Sequence, residues 1–172
     1  MPRHLKWWWI TATFCSQVWA GQLVGQVVGV ADGDTITVAD GNTERFVVRL
    51  AGIDAPEKEQ PFGAEAKANL TTLTLNKAVI VDWHKRDRYG RLVGKVTVDG
   101  NDISLAQIRA GLAWHYKDYQ SEQSAADRHV YAQEELLARQ SQLGLWSAPE
   151  SIPPWEWRKL RGASPPSGKP ER

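Results

Sequence analysis

With 172 residues, of which 42% are hydrophobic and 24% charged, the chain has the composition of a globular protein and the length for one domain with its own core. Its formal net charge of +1 excludes attraction to nucleic acid by bulk charge, so any such affinity must come from local clusters of Lys and Arg. The single cysteine, Cys15, excludes an internal disulfide framework.

The first twenty residues follow the grammar of a secretory signal peptide. Arg3, His4 and Lys6 precede a largely apolar run from Trp7 to Cys15, and Val18-Trp19-Ala20 sets small residues before Gly21. Cleavage is expected after Ala20; uncleaved, the same segment would be an anchor. The apolar run is shorter than the roughly 20 residues a spanning helix needs. Without residues 1–20 the chain carries 19 basic and 20 acidic residues and no cysteine. A secreted or periplasmic bacterial location is the expectation, with no stable membrane span after cleavage.

From Leu23 to Val30 a valine-rich run with interspersed glycines predicts a strand in a curved sheet. Asp32-Gly33 reads as a tight turn, followed by the alternating strand Thr35-Ile36-Thr37-Val38 and the hairpin signal Asp40-Gly41-Asn42. The next strand, Glu44 to Leu50, puts Phe46, Val48 and Leu50 on one face and Arg45, Val47 and Arg49 on the other. After Pro61-Phe62-Gly63, the spacing of Ala66, Leu70 and Leu73 predicts a helix ending near Asn76. Two more strands, Val79 to Trp83 and Leu92 to Val98, flank the charged segment Lys85 to Arg91. Leu105, Ile108 and Leu112 mark a second helix that ends near Gly111. An aromatic-rich loop runs to Gln120, and a third helix spans about Ser124 to Ser141. Three strands, helix, two strands and two helices match an α+β arrangement dominated by β structure: a five-stranded OB-fold barrel with three α-helices.

Residues 21–148 form the predicted domain. From Pro149 to Arg172 the six prolines predict an extended tail, disordered from about residue 162. Trp155 and Trp157 in that tail either fold back onto the barrel or meet nucleic acid, a membrane surface or a partner.

The chemistry-bearing side chains sit at strand ends and turns. Asp34 and Asp54 each lie beside a glycine turn, where a carboxylate either satisfies its own backbone or helps to ligate a hard cation such as Ca²⁺. Asp32 reads as a turn residue. Arg49 and Arg91 are either surface ion-pair partners or the planar forks that stabilise charge building on a phosphoryl group. Glu57 is a loop acid that could orient an attacking water. His84, His115 and His129 have no ligand spacing and read as structural or solvated.

Taken together, Asp32-Gly33-Asp34-Thr35, Arg49-Leu50, Ile53-Asp54-Ala55-Pro56-Glu57 and Asp87-Arg88-Tyr89-Gly90-Arg91, interleaved with this strand pattern, resemble the staphylococcal nuclease (thermonuclease) family from about Gln22 to Trp146. The resemblance implies a Ca²⁺-dependent nuclease, active as a monomer, that hydrolyses the P–O5′ bond of DNA and RNA and leaves 3′-phosphates. It implies Asp34 and Asp54 as metal carboxylates, with Ala55 contributing its backbone carbonyl where the best-known member has threonine. Glu57 corresponds to the acid credited with activating water, and Arg49 and Arg91 to the arginines on the scissile phosphate. Arg88 and Tyr89 fall where a lysine and a tyrosine contact a terminal phosphate, and Tyr116 falls in the base-stacking region. Activity is expected to survive deletion of Ser151 to Arg172. The alternative is a non-catalytic oligonucleotide-binding module on the same barrel; a partner-binding protein driven by the Trp-rich tail is a third class.

Overall fold

The computed structural model describes residues 21–163; the expected signal peptide and the expected disordered end beyond residue 163 lie outside the described residues. Strands β1 (Gly21–Val30), β2 (Thr35–Ala39) and β3 (Arg45–Leu50) form an antiparallel meander, and β1 also pairs with β5 (Ala78–Arg86), which pairs with β6 (Leu92–Val98). Parallel pairing of β3 with β6, Val48 opposite Leu92 and Leu50 opposite Gly94, closes the five strands into the expected barrel. Ten residues of β1 serve two neighbours because the strand bends: its register with β2 shifts between Val27 and Gly29, the local kink of a bulge.

Alternation along the strands fills the interior. Val27, Ile36, Val38, Val48, Leu50, Val81 and Val96 are buried, and Arg45, Val47 and Arg49 face outward as their spacing requires. Helix α1 (Gly63–Thr74) buries Ala66, Leu70 and Thr74 at successive turns, and Asn76 follows in the left-handed region, φ 62°. A two-residue strand β7 (Asn101–Asp102) leads into α2 (Ile103–Arg109), where Asp102 accepts from the Leu105 amide at 3.1 Å as its N-cap. Helix α3 (Ala125–Gln140) starts at a reciprocal Ser124–Asp127 pair.

Three features matter for the site. Strand β4 (Ile53–Asp54) pairs with β8 (Trp114–His115), a ribbon inside what the sequence predicted as loop, and it sets Asp54 opposite Trp114. Gln107 of α2 is fully buried; its amide nitrogen donates to the carbonyls of Gly33 (2.7 Å) and Ala66 (2.9 Å), which fixes the turn that carries Asp34. Finally, the segment expected to be an extended tail contains a fourth helix, α4 (Pro154–Ala163). Proline suits a first helical turn, where its missing N–H has no partner to lose, so the prolines mark a helix start and not continued extension. Among the described residues no helix is long and apolar enough to cross a membrane.

Candidate active site

The turn before β2, the end of β3, the β4 ribbon and the β5–β6 turn open onto one cleft of about 660 Å³. Asp34, Arg49, Ala55, Glu57, Arg88, Tyr89, Arg91 and Tyr116 all line it, so the structure gathers residues spread over more than eighty positions of sequence. Asp32 is the turn residue its sequence suggested, since its carboxylate accepts from the Asp34 amide at 3.1 Å.

Arg49 is the centre of the charge cluster. One guanidinium nitrogen donates to Asp34 at 2.7 Å and the other to Asp54 at 2.9 Å. Thr35 donates to the other Asp34 oxygen at 2.9 Å, and the Ala55 amide approaches Asp34 at 3.3 Å. Burial raises the Asp34 pKa by more than Arg49 lowers it. Burial disfavours the charge on Arg49 too, but the paired carboxylates outweigh it and hold Arg49 above its ordinary pKa. Asp54 is completely buried, beneath Arg49 and a second arginine that the sequence reading missed.

That second arginine is Arg158 of α4. It donates to Asp54 at 2.8 Å and to Glu57 at 2.7 Å. Burial opposes its charge, but hydrogen bonds to both carboxylates raise its pKa above the ordinary value. Trp155, one turn earlier, stacks on Tyr116 with ring centroids 5.2 Å apart and planes inclined by 14°. Tyr116 also meets Tyr119 at 5.0 Å, so its ring is partly covered by two aromatic neighbours. Trp155 further touches Trp114 edge to face at 5.7 Å; of the readings open for this tryptophan, the structure shows the fold onto the barrel. A cue was present in the sequence: Trp155 and Arg158 are three residues apart, hence on one helical face, directly after a helix-starting proline.

Arg91 is aimed by its own turn. Asp87 accepts from the Arg91 side chain at 2.7 Å and from its amide at 3.0 Å, and Gly90 supplies φ 80° for the reversal. Arg88 and Tyr89 lie at the exposed tip, with the Arg88 guanidinium 4.8 Å from the centre of the Tyr89 ring. His115 is buried on β8 and bonds Gln123 at 2.8 Å, while His84 pairs with Glu122 at 3.0 Å, both structural roles.

The donor set can be tested against a hard cation. Among the described residues no group of three or more His, Cys, Asp or Glu side chains is arranged to hold a metal ion. Two carboxylates do converge through Arg49, and a carboxylate offers about four lone-pair positions. The Asp34 oxygen bonded to Thr35 and the Asp54 oxygen bonded to the Arg158 Nη2 each retain acceptor capacity. Oxygen-only donors of this kind suit a hard cation such as Ca²⁺ better than a soft one.

The family model described as staphylococcal nuclease homologue matches residues 47–148. The chain is 40% identical over 146 residues to an uncharacterized endonuclease of Escherichia coli O157:H7, covering 84% of this chain and 91% of that protein. It is 41% identical over 144 residues to a micrococcal nuclease of Shigella flexneri, covering 78% and 80% of the two chains. Over 116 residues it is 39% identical to the staphylococcal-like nuclease CAN1 of Arabidopsis thaliana, 67% of this chain and 34% of that one. Barrel, cleft residues and sequence relationship agree: the chain belongs to the staphylococcal nuclease family.

Proposed function

We propose that this protein is a Ca²⁺-dependent nuclease, secreted or periplasmic and active as a monomer, that hydrolyses phosphodiester bonds of DNA and RNA. The observation that supports the reading most is the Arg49 bridge between Asp34 and Asp54 at the floor of a cleft whose walls carry Glu57 and Arg91. Asp34, Asp54 and the Ala55 carbonyl would hold the cation, which supplies Lewis-acid polarisation of the phosphate.

The chain's own residues account for the remaining steps. Arg49 and Arg91 would offer the N–H donors not taken by Asp34, Asp54 and Asp87 to the phosphoryl oxygens, where negative charge grows as the five-coordinate state forms. Glu57 accepts a proton from the attacking water while the water oxygen bonds phosphorus. The P–O5′ bond breaks, its electron pair leaves with the 5′ oxygen, which takes a proton from solvent water, and a 3′-phosphate remains. Arg88 and Tyr89 at the cleft rim would contact a neighbouring phosphate.

Digestion of labelled DNA and RNA by the chain from Gly21 to Arg172, with Ca²⁺ and then with excess EGTA, tests the reading. Cleavage with Ca²⁺ and its loss with EGTA is expected. Calcium-independent cleavage, or binding without cleavage as a non-catalytic module would show, refutes it.

A further inference from the structure

Glu57 sits in the loop between β4 and α1, and its side chain is 40% exposed. An exposed loop carboxylate samples several rotamers and is a poor guide for a water molecule unless something holds it. Among the described residues, the ion-pair partner of Glu57 is Arg158. The same guanidinium bonds Asp54, which is wholly buried at the end of β4 and already fixed by Arg49. Arg158 therefore connects a half-exposed acid to a wholly buried one.

The loop backbone is tied down by the same segment. The Gln60 side-chain oxygen accepts from the Glu57 amide at 3.1 Å, and its nitrogen donates to the Ile152 carbonyl at 2.6 Å. Helix α4 has anchors that do not involve Arg158: buried Pro154, Trp155 against Tyr116 and Trp114, and an ion pair from Arg161 to Glu59. With these anchors the helix presents Arg158 to the cleft and is not a flap held shut by it.

We infer that Arg158 is a positioning residue for the hydrolytic step, holding the Glu57 carboxylate against the metal-binding floor, and that α4 is part of the working site. This rests on Glu57 acting on the nucleophilic water. It reverses the expectation that activity survives deletion of Ser151 to Arg172.

The test is a double-mutant cycle in the full chain, with DNA hydrolysis measured at saturating Ca²⁺ for wild type, Arg158→Ala, Arg158→Lys, Glu57→Gln and the Glu57→Gln/Arg158→Ala pair. Arg158→Ala is expected to lower kcat about 10- to 100-fold, the usual loss on removing the partner that orients a ligand or catalytic group. KM should stay within about threefold, because Arg158 acts through another side chain and not on bound substrate. Arg158→Lys should restore part of the rate. The double variant should be no more than about threefold slower than Glu57→Gln alone, since the same interaction is removed twice. Thermal melts of Arg158→Ala and Arg158→Lys establish that both are folded.

Losses that multiply in the double variant would overturn the inference, and so would an Arg158→Ala enzyme as fast as wild type. A faster Arg158→Ala enzyme with tighter Ca²⁺ binding by calorimetry would also overturn it, showing that Arg158 blocks the site. Ca²⁺-dependent cleavage by wild type and its loss in Glu57→Gln uphold the nuclease reading whatever Arg158 does, so the two conclusions fail separately.

Discussion

Trp155 lies flat on Tyr116, centroids 5.2 Å apart, and so a residue from the C-terminal segment covers the ring that the family resemblance assigns to a nucleobase. A base that uses Tyr116 must enter beside or in place of the indole, and either event changes the surroundings of Trp155. Stacking of a base on an aromatic side chain contributes about 1–3 kcal/mol. Tyr116→Ala is therefore expected to weaken binding of a short single-stranded oligonucleotide by roughly 5- to 150-fold at about 1.4 kcal/mol per decade. Oligonucleotide binding should change tryptophan fluorescence in the wild type, and Trp155→Phe should remove most of that change. A fluorescence titration with Ca²⁺ chelated, so that substrate survives, measures both.

The cluster around Arg49 is expected to couple activity to stability. Asp54 and Asp34 have side-chain exposures of 0% and 6%, and Arg49 bridges them. Removing Arg49 leaves Asp54 paired with Arg158 but takes from buried Asp34 its arginine partner, and breaking such a buried pair costs about 3–5 kcal/mol. Arg49→Ala is expected to lose at least about 100-fold in turnover and to unfold at clearly lower urea concentration. Arg49→Lys should keep much of the stability, because the charge remains, and still lose activity, because one ammonium group cannot copy the fork. Urea melts beside DNA hydrolysis rates separate the two effects. Near-wild-type turnover by folded Arg49→Ala would remove Arg49 from the phosphate site.

Local physics decided what could be read from the sequence. Phe46, Val48 and Leu50 alternate, so the face that leaves Arg49 outside the barrel was legible, as was a third helix beginning near Ser124. Asp34, Arg49, Glu57 and Arg91, grouped in the sequence through the family resemblance, line one cleft, and Asp54 lies buried behind Arg49. Parallel closure of β3 on β6 was not, because Val48 and Leu92 are far apart in sequence and nothing local specifies their pairing. Gln107 gave no cue: a glutamine on a helix reads as solvated until the carbonyls of Gly33 and Ala66 converge on it. Arg158 was hidden by its setting, since prolines 149, 153 and 154 read as extension while Pro154 in fact opens a helix.

His115 gives the fold a sensitivity to acid. It is 2% exposed on β8, paired in register with Ile53, and its Nδ1 is buried without a hydrogen-bond partner among the described residues. Burial lowers its pKa below the ordinary 6.5 more than the Gln123 hydrogen bond raises it. The unfolded chain therefore binds a proton on this residue at a higher pH than the folded chain does. The resulting stability is complete above about pH 6.5 and is lost as pH falls through the folded pKa. The melting temperature is expected to fall between pH 6.5 and pH 5, and His115→Gln should flatten that slope. Thermal melts across this range check it; an equal slope in the variant would assign the effect to another group.

Gly63 controls the backbone of the loop that carries Glu57. A Cβ added at Gly63 would lie 2.0 Å from the Glu57 carbonyl oxygen, a clash with main chain that no rotamer change can relieve. The Gly63 amide also donates to the Gln60 carbonyl at 2.9 Å, and Gln60 in turn accepts from the Glu57 amide, so displacement at Gly63 passes directly to Glu57. Gly63→Ala is expected to destabilise the chain by about 1–3 kcal/mol, the usual range for overpacking. Turnover should fall further than stability does, because a shift of about 1 Å in a catalytic group can cost about 100-fold in rate. Comparing kcat under fully folded conditions with the urea midpoint separates the two losses. Gly33→Ala, whose Cβ would meet the Ala55 and Ala66 side chains at 2.7 Å, crowds the turn that carries Asp34, the floor proposed to hold Ca²⁺. It should weaken Ca²⁺ binding by calorimetry, whereas Gly63→Ala should leave Ca²⁺ affinity within about threefold, since its clash lies at the Glu57 carbonyl and not at Asp34 or Asp54. Equal loss of Ca²⁺ affinity in the two variants would mean that loop and floor move as one unit.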